Sequence, residues 1–245
     1  MRTEVWVPAR FNGPAGSANG GFVCGLLSEH VTGSDRHVVE VTLRRPPPLE
    51  SPMTAVEEAG AVLLLHDGAT VAEARVVEDD LGSVDGVSAE TAATAMEGYA
   101  GLHGHPFPSC FSCGPGRAEG DGLRIFPGPV GPGLVASVWV PHESTAESGD
   151  LLDRVHRCGT ATTWAALDCV GGWSEDLAGR PCVLGRMAAR VDAHPVVGEP
   201  HVVVGRLLGR EGRRSMTAST LYDADGRVVG TARHTWVQVD PAAFA

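Results

Sequence analysis

Two short stretches, far apart in the sequence, carry residue types that suit catalysis at a carbonyl group. Asn19-Gly20-Gly21 begins one apolar segment, and Asp168 lies near the end of another. Backbone N–H groups of the two glycines, at the positive end of a helix, could polarise a carbonyl and stabilise an oxyanion. A buried carboxyl group could activate water as a general base, or act as a nucleophile. Structural roles are the alternatives: a helix start for the glycines, and a hydrogen bond to the Gly171-Gly172 turn for Asp168.

Both segments belong to an order of landmarks that occurs twice. The first copy contains Val5-Trp6-Val7-Pro8, Asp67-Gly68 and Ala74-Arg75, and the second contains Val138-Trp139-Val140-Pro141, Asp225-Gly226 and Ala232-Arg233. This order predicts an internal duplication of one supersecondary unit. The copies differ where the chemistry would lie, because Ser28 stands in place of Asp168 and Gly159-Thr160-Ala161 stands in place of Asn19-Gly20-Gly21. Each copy therefore keeps one half of a site.

Hydrophobic periodicity predicts one helix followed by antiparallel strands in each copy. The helices are predicted at 21–30 and 160–168, and a surface linker helix at 88–102. Strands are predicted at 38–44, 61–65, 71–77, 122–126, 134–140, 183–191, 201–208, 215–222 and 227–239. Asp67-Gly68 and Asp225-Gly226 are typical of hairpin turns. The fold class is α+β, with domains at 1–87 and 104–245 joined by a linker at 88–103.

Composition excludes several classes of function. The chain of 245 residues has 19 basic and 30 acidic residues and a net charge of -11, which disfavours nucleic acid and anionic membranes as partners. All the basic residues are arginines, so Schiff-base chemistry, pyridoxal-phosphate chemistry and a phosphate-loop lysine are excluded. Neither a signal peptide nor a membrane-spanning run is evident, which predicts a cytoplasmic protein. In that compartment the six cysteines are expected to be reduced thiols.

The cysteine loop carries a family resemblance. Cys110-Phe111-Ser112-Cys113-Gly114, followed by Gly122-Leu123-Arg124-Ile125, resembles the opening of hot-dog fold thioesterases of the phenylacetate-pathway type. Asn19-Gly20-Gly21 resembles the His-Gly-Gly that starts the central helix there, and Ala166-Leu167-Asp168 resembles the segment with the catalytic carboxylate. Together with the duplication, the chain resembles tandem acyl-CoA thioesterases. The resemblance implies a double hot-dog, in which two antiparallel sheets each wrap around a central helix.

The resemblance also implies one composite site, with the helix start from one half and the carboxylate from the other. Asp168 would assist water, Gly20 and Gly21 would hold the oxyanion, and Asn19 or Asn12 would orient the carbonyl or the water. His234, on the last strand, would complete the site, although it could equally be a solvent-facing residue. Candidate ligands for the phosphates of coenzyme A are Arg44, Arg45, Arg186 and Arg190, which could equally form a solvated sheet face. The expected partner is a small acyl thioester, without a cofactor, and the chain could form a homodimer.

Two other functions stay open, namely a hot-dog dehydratase or hydratase and a non-catalytic binder of acyl thioesters. The dehydratase needs a histidine on a central helix, where the sequence offers only His30 and the preceding His156.

His103, His105, Cys110 and Cys113 could in principle supply four zinc ligands, but a single Cys-x2-Cys is a motif of low specificity. No metal site is therefore predicted. Cys169 is not expected to be a nucleophile, since the adjacent carboxylate raises the pKa of a thiol.

Overall fold

A computed structural model of the chain describes residues 2–34, 37–147 and 155–244. In this part of the chain the helices are α1 (Gly20–Ser28), α2 (Ala89–Met96), α3 (Gly101–Gly104) and α4 (Thr160–Trp173). The strands of the first half are β1 (Arg2–Val5), β2 (Val38–Leu43), β3 (Met53–Glu58), β4 (Ala61–His66) and β5 (Ala69–Val77). Those of the second half are β6 (Gly128–Gly131), β7 (Leu134–Trp139), β8 (Cys182–Val191), β9 (His201–Glu211), β10 (Arg214–Tyr222) and β11 (Val228–Gln238).

All of these strands form one antiparallel sheet, whose order is β1-β3-β4-β5-β2-β8-β11-β10-β9-β7-β6. The halves meet where β2 pairs with β8, for example Val39 with Ala189 and Val41 with Met187. Moving outward from this pair, β5, β4, β3 and β1 follow on one side, and β11, β10, β9 and β7 follow on the other. Apart from the additional edge strand β6, the two halves of the sheet thus have the same strand order, and in each half the long helix precedes the strand that forms this central pair.

The core is built around α1 and α4, which pack against each other. Phe22, Val23 and Leu27 of α1 are buried, and so are thirteen of the fourteen residues of α4. A helix that is apolar on all sides is stable only inside the protein. The helices cross closely at Gly25, where a Cβ atom would lie 2.6 Å from the Cα of Ala161. None of the described helices has the length and apolar character needed to cross a membrane.

The predicted elements are largely confirmed, with informative exceptions. Helix α4 extends to Trp173, beyond the predicted end at Asp168. Asp67 and Gly68, with φ of 49° and 75°, form the expected two-residue turn. The predicted strand at 122–126 is wrong, because its N–H groups bond elsewhere: Leu123 donates to the carbonyl of Phe111 instead of to a neighbouring strand. The predicted helix at 88–102 is interrupted after Met96. Three strands were not predicted, namely β1, β3 and β6.

Candidate active site

The carboxylate of Asp168, on α4, lies against the N-terminus of α1. Its Oδ2 accepts hydrogen bonds from the backbone N–H of Gly21 at 3.0 Å and from Nδ2 of Asn19 at 3.2 Å. A Cβ atom at position 21 would lie 2.4 Å from the Cβ of Asp168, so only glycine permits this approach. The structure therefore brings together Asn19 and Gly21 from the first half and Asp168 from the second.

The first turn of a helix leaves backbone N–H groups without intrahelical partners, and α1 satisfies most of them. Asn19 caps the helix, because its Oδ1 accepts from the N–H of Phe22 at 2.8 Å. The N–H of Asn19 itself donates to the carbonyl of Phe11 at 2.8 Å. With Gly21 bonded to Asp168, the N–H of Gly20 is the one left without a hydrogen-bond partner in the described ranges. The two predicted oxyanion donors thus differ: the N–H of Gly21 binds the carboxylate of Asp168, and only the N–H of Gly20 is available to a ligand.

Inside the protein, the carboxyl group of Asp168 holds its proton more tightly than it would in water. Burial is the main cause and raises its pKa to about 7. The hydrogen bonds from Gly21 and Asn19 oppose this rise, whereas the nearby Cys110 adds to it. Its second oxygen, Oδ1, is buried without a hydrogen-bond partner among residues 2–34, 37–147 and 155–244. A buried acceptor of this kind is uncommon and indicates a place for a proton, a water molecule or a ligand.

A cavity of about 230 Å³ opens beside these groups. Asn19, Gly20 and Asp168 line it together with apolar side chains, including Leu43, Trp173, Leu177, Leu184 and Trp236. Arg44 and Arg45 also line it, and both are exposed. A mostly apolar cavity with a few polar groups at one point suits a small ligand with an apolar part and one reactive group.

Asn12 and His234, which were predicted for the site, make contacts inside the protein instead. Asn12 does not line the cavity; its Nδ2 donates to the carbonyl of Gly13 at 3.0 Å and to Oγ of Ser109 at 3.0 Å, and its Oδ1 accepts from Arg117. His234 is also absent from the lining; its Nδ1 lies 3.1 Å from Oγ1 of Thr217, and its ring packs against α4 at Gly171. Both side chains are buried and serve internal contacts. Neither is placed to touch a ligand in this cavity.

The four arginines separate into two pairs. Arg44 and Arg45 line the cavity, whereas Arg186 and Arg190 do not. Arg186 bonds Thr42 at 3.1 Å, and Arg190 bonds Asp192 at 3.0 Å. Arg44 pairs with Glu73 at 3.0 Å. For Arg45 no ion pair is found within the part of the chain that the structure describes.

Several cysteines and one histidine of the cavity wall were not among the predicted site residues. Cys110, Cys113, Cys169 and His105 all line it. The Cys-x2-Cys motif was the available signal, but it did not indicate Cys169, which follows Asp168 on α4. His103 of the same motif is exposed and does not line the cavity.

Acid stability is expected to depend on His234. Burial lowers its pKa from 6.5 to about 4, so the unfolded chain binds more protons between these values. Stability is therefore lost as the pH falls from about 6.5 towards 4, by roughly 3 kcal/mol for this residue. The raised pKa of Asp168 has the opposite effect on stability: because the folded state binds the extra proton, this residue stabilises the fold as the pH falls.

Urea unfolding of the parent and of His234→Gln across this pH range measures the contribution of the histidine, and the variant should lose less stability than the parent. An exposed-site control, His103→Gln, should follow the parent, and identical profiles for His234→Gln and the parent would contradict this assignment.

Solved structures with the same fold were identified, although no protein-family model and no curated protein matches the sequence. A tesB protein of Mycobacterium avium subsp. paratuberculosis is 15% identical, with a TM-score of 0.59 over 98% of this chain and 93% of that one. The acyl-CoA thioesterase II TesB2 of Mycobacterium marinum is 11% identical, with a TM-score of 0.58 over 99% and 94%. A hot-dog fold protein of unknown function from Alicyclobacillus acidocaldarius is 11% identical, with a TM-score of 0.54 over 98% and 94%. At these identities the likeness establishes a shared hot-dog fold and confirms that part of the resemblance.

Proposed function

We propose that this chain hydrolyses acyl thioesters at one composite site between two hot-dog units. One observation carries the proposal: Asp168, from the second half, meets the N-terminus of α1, from the first half, beside an apolar cavity. The acyl-CoA thioesterase II from M. marinum, which has the same fold along nearly its whole length, supports a thioester as substrate. The net charge of -11 disfavours nucleic acid and anionic membranes as partners, which leaves a small molecule as the substrate. A cytoplasmic location is part of this proposal.

The two units would be a double hot-dog within one chain. The boundaries proposed are 1–87 and 104–245, with 88–103 as the linker. The equal strand order on both sides of the β2–β8 pair supports two copies of one unit, and so does the packing of α1 against α4 in the interior. Two units that already pair within the chain need no partner subunit to complete the site, although a homodimer through another surface is compatible with it.

In the reaction proposed, Asp168 acts as the general base. Its Oδ1 accepts a proton from a water molecule while the water oxygen attacks the thioester carbonyl carbon. The N–H of Gly20, at the positive end of α1, stabilises the negative charge that forms on the carbonyl oxygen. The C–S bond then breaks, and the proton passes to the departing thiolate, which leaves a carboxylic acid and a thiol. Gly21 and Asn19 hold the carboxylate through Oδ2 and keep Oδ1 available.

Arg45 is the best candidate for binding the phosphates of coenzyme A. It is exposed, lines the cavity and, among the described residues, forms no ion pair. Arg45→Ala is expected to raise KM for an acyl-CoA about tenfold, because a hydrogen bond to a charged group contributes about 1.5 kcal/mol. The same variant should leave KM unchanged for the matching acyl-pantetheine, which lacks the nucleotide phosphates.

The matched control for Arg45 is Arg190→Ala, since it removes the same kind of side chain from β8, outside the cavity. Steady-state kinetics on both substrates measures the difference. If Arg45→Ala changed KM equally for the acyl-CoA and the acyl-pantetheine, Arg45 would not be a phosphate ligand.

Release of thiol from a panel of short, long and aromatic acyl-CoA substrates tests the function itself. Turnover on any of them, dependent on Asp168, supports the thioesterase. The rival dehydratase is tested by following water addition to 2-enoyl-CoA, and the rival binder by calorimetry with the same substrates. Binding without turnover would overturn the proposal in favour of a non-catalytic binder of acyl thioesters.

A further inference from the structure

Three buried cysteines converge in the wall of the cavity. The Sγ atoms of Cys110, Cys113 and Cys169 all lie within 4.8 Å of one another, and those of Cys110 and Cys169 are 3.6 Å apart. The first two belong to the Cys-x2-Cys loop, and the third is on α4. Folding thus brings Cys169 to the two thiols of the loop, whereas buried Cys158 contacts the hydroxyl of Thr145.

The spacing of the sulfur atoms suits a tetrahedral metal ion. Thiolates bind Zn(II) at about 2.3 Å, so two of them in a tetrahedral site lie about 3.8 Å apart. The separation of 3.6 Å between the Sγ atoms of Cys110 and Cys169 is close to this value. No pair among the three sulfur atoms is more than 4.8 Å apart, so small side-chain rotations bring all three to the spacing of a tetrahedral site. Soft sulfur ligands select Zn(II) over hard cations such as Mg²⁺ and Ca²⁺.

Nitrogen donors surround the sulfur atoms. Nε2 of His105 lies 3.3 Å from Sγ of Cys113. Nδ1 of the same ring accepts the backbone N–H of Phe107 at 2.9 Å, so Nε2 carries the proton and donates it to the sulfur. Nδ2 of Asn19 lies 3.8 Å from Sγ of Cys110 and 3.9 Å from Sγ of Cys169. Such N–H groups stabilise the negative charge of metal-bound thiolates, as outer-sphere donors do in known sites.

We propose that Cys110, Cys113 and Cys169 bind one Zn(II) ion as thiolates, with His105 as an outer-sphere donor. Binding releases the three thiol protons to solvent and leaves a complex of net charge -1. Three thiolates leave the fourth position of a tetrahedral ion for water or a ligand atom, and the cavity that the three cysteines line has room for either. A three-ligand zinc site with an open position differs from the closed four-ligand sites of zinc fingers. This inference does not depend on the thioesterase proposal, because it concerns metal binding alone.

Metal content of the purified full-length chain is the direct test. Inductively coupled plasma mass spectrometry, after dialysis against Zn(II) and removal of the excess, should find about one zinc per chain. Cys113→Ser should reduce this content at least tenfold. The control is Cys158→Ser, which removes a buried thiol outside the trio and should keep the full content. Circular dichroism checks that both variants fold.

A second measurement uses the unaltered chain and so does not depend on how a variant folds. Replacing zinc by Co(II) should produce thiolate-to-metal absorption in the near ultraviolet and visible bands typical of tetrahedral cobalt. Three results would each overturn the proposal: no metal retained while all six thiols react after denaturation, a Cys110–Cys169 disulfide detected by mass spectrometry, or equal zinc in Cys113→Ser and the parent. Acyl-CoA turnover is not used as a readout, so failure of the enzymatic proposal would not affect this result.

Discussion

Asp168→Asn is expected to lower kcat for acyl-CoA hydrolysis by about 10²- to 10⁴-fold, which is the usual contribution of a positioned general base. Asparagine has nearly the same shape, and its amide oxygen can still accept the N–H of Gly21, so the packing of α1 on α4 should persist. It cannot take a proton from water. KM should change little, because in the proposed mode of binding the acyl group contacts the apolar wall of the cavity and not the carboxylate.

Initial rates of thiol release measure this effect, with the folded state of the variant checked by its unfolding transition. Asp192→Asn is the matched control, since Asp192 forms a surface ion pair with Arg190 away from the cavity. It should keep the rate of the parent. If Asp168→Asn released thiol at the same rate as the parent, Asp168 would not be the general base, and the proposed composite site would be wrong.

The long helices were predictable because their apolar residues recur with helical spacing. Asn19 caps α1 and Gly20 is its first residue, and Thr160 begins α4 where the apolar pattern begins. Which glycine N–H remains available was not predictable. It depends on the close approach of Asp168 to Gly21, and this approach is fixed by the packing of two helices from opposite halves.

The outer parts of the site were less predictable, for physical reasons. Strand alternation assigns a residue to one face of a sheet, but it does not tell which part of the covering helix that face meets. His234 shows this limit, because its ring packs against Gly171 of α4 and does not line the cavity. The cysteine trio shows another limit. Contacts between Cys113 and Cys169 are set by tertiary packing, and no local spacing in the sequence encodes them.

Gly25→Ala is expected to lower the free energy of unfolding by about 1–3 kcal/mol. Helix propensity alone would give the opposite sign, since alanine is favoured over glycine by about 1 kcal/mol inside a helix. Packing outweighs propensity here, because the new Cβ would lie 2.6 Å from the Cα of Ala161 and 3.0 Å from the Cβ of Trp164. The first of these is a backbone atom, so α1 and α4 must move apart as whole helices.

Urea unfolding measures the effect, and Gly104→Ala is the matched control, because a Cβ at the end of α3 would meet no atom within 4 Å. The control should be neutral or slightly stabilising. Separation of the helices at Gly25 also lengthens the contact between Gly21 and Asp168, one turn away on α1, so the variant should lose turnover even where it remains folded. Unchanged stability and turnover in Gly25→Ala would mean that the helices adjust without cost and that the site does not depend on their close approach. The expected joint loss instead ties the chemistry of the cavity to the packing between the two halves of the chain.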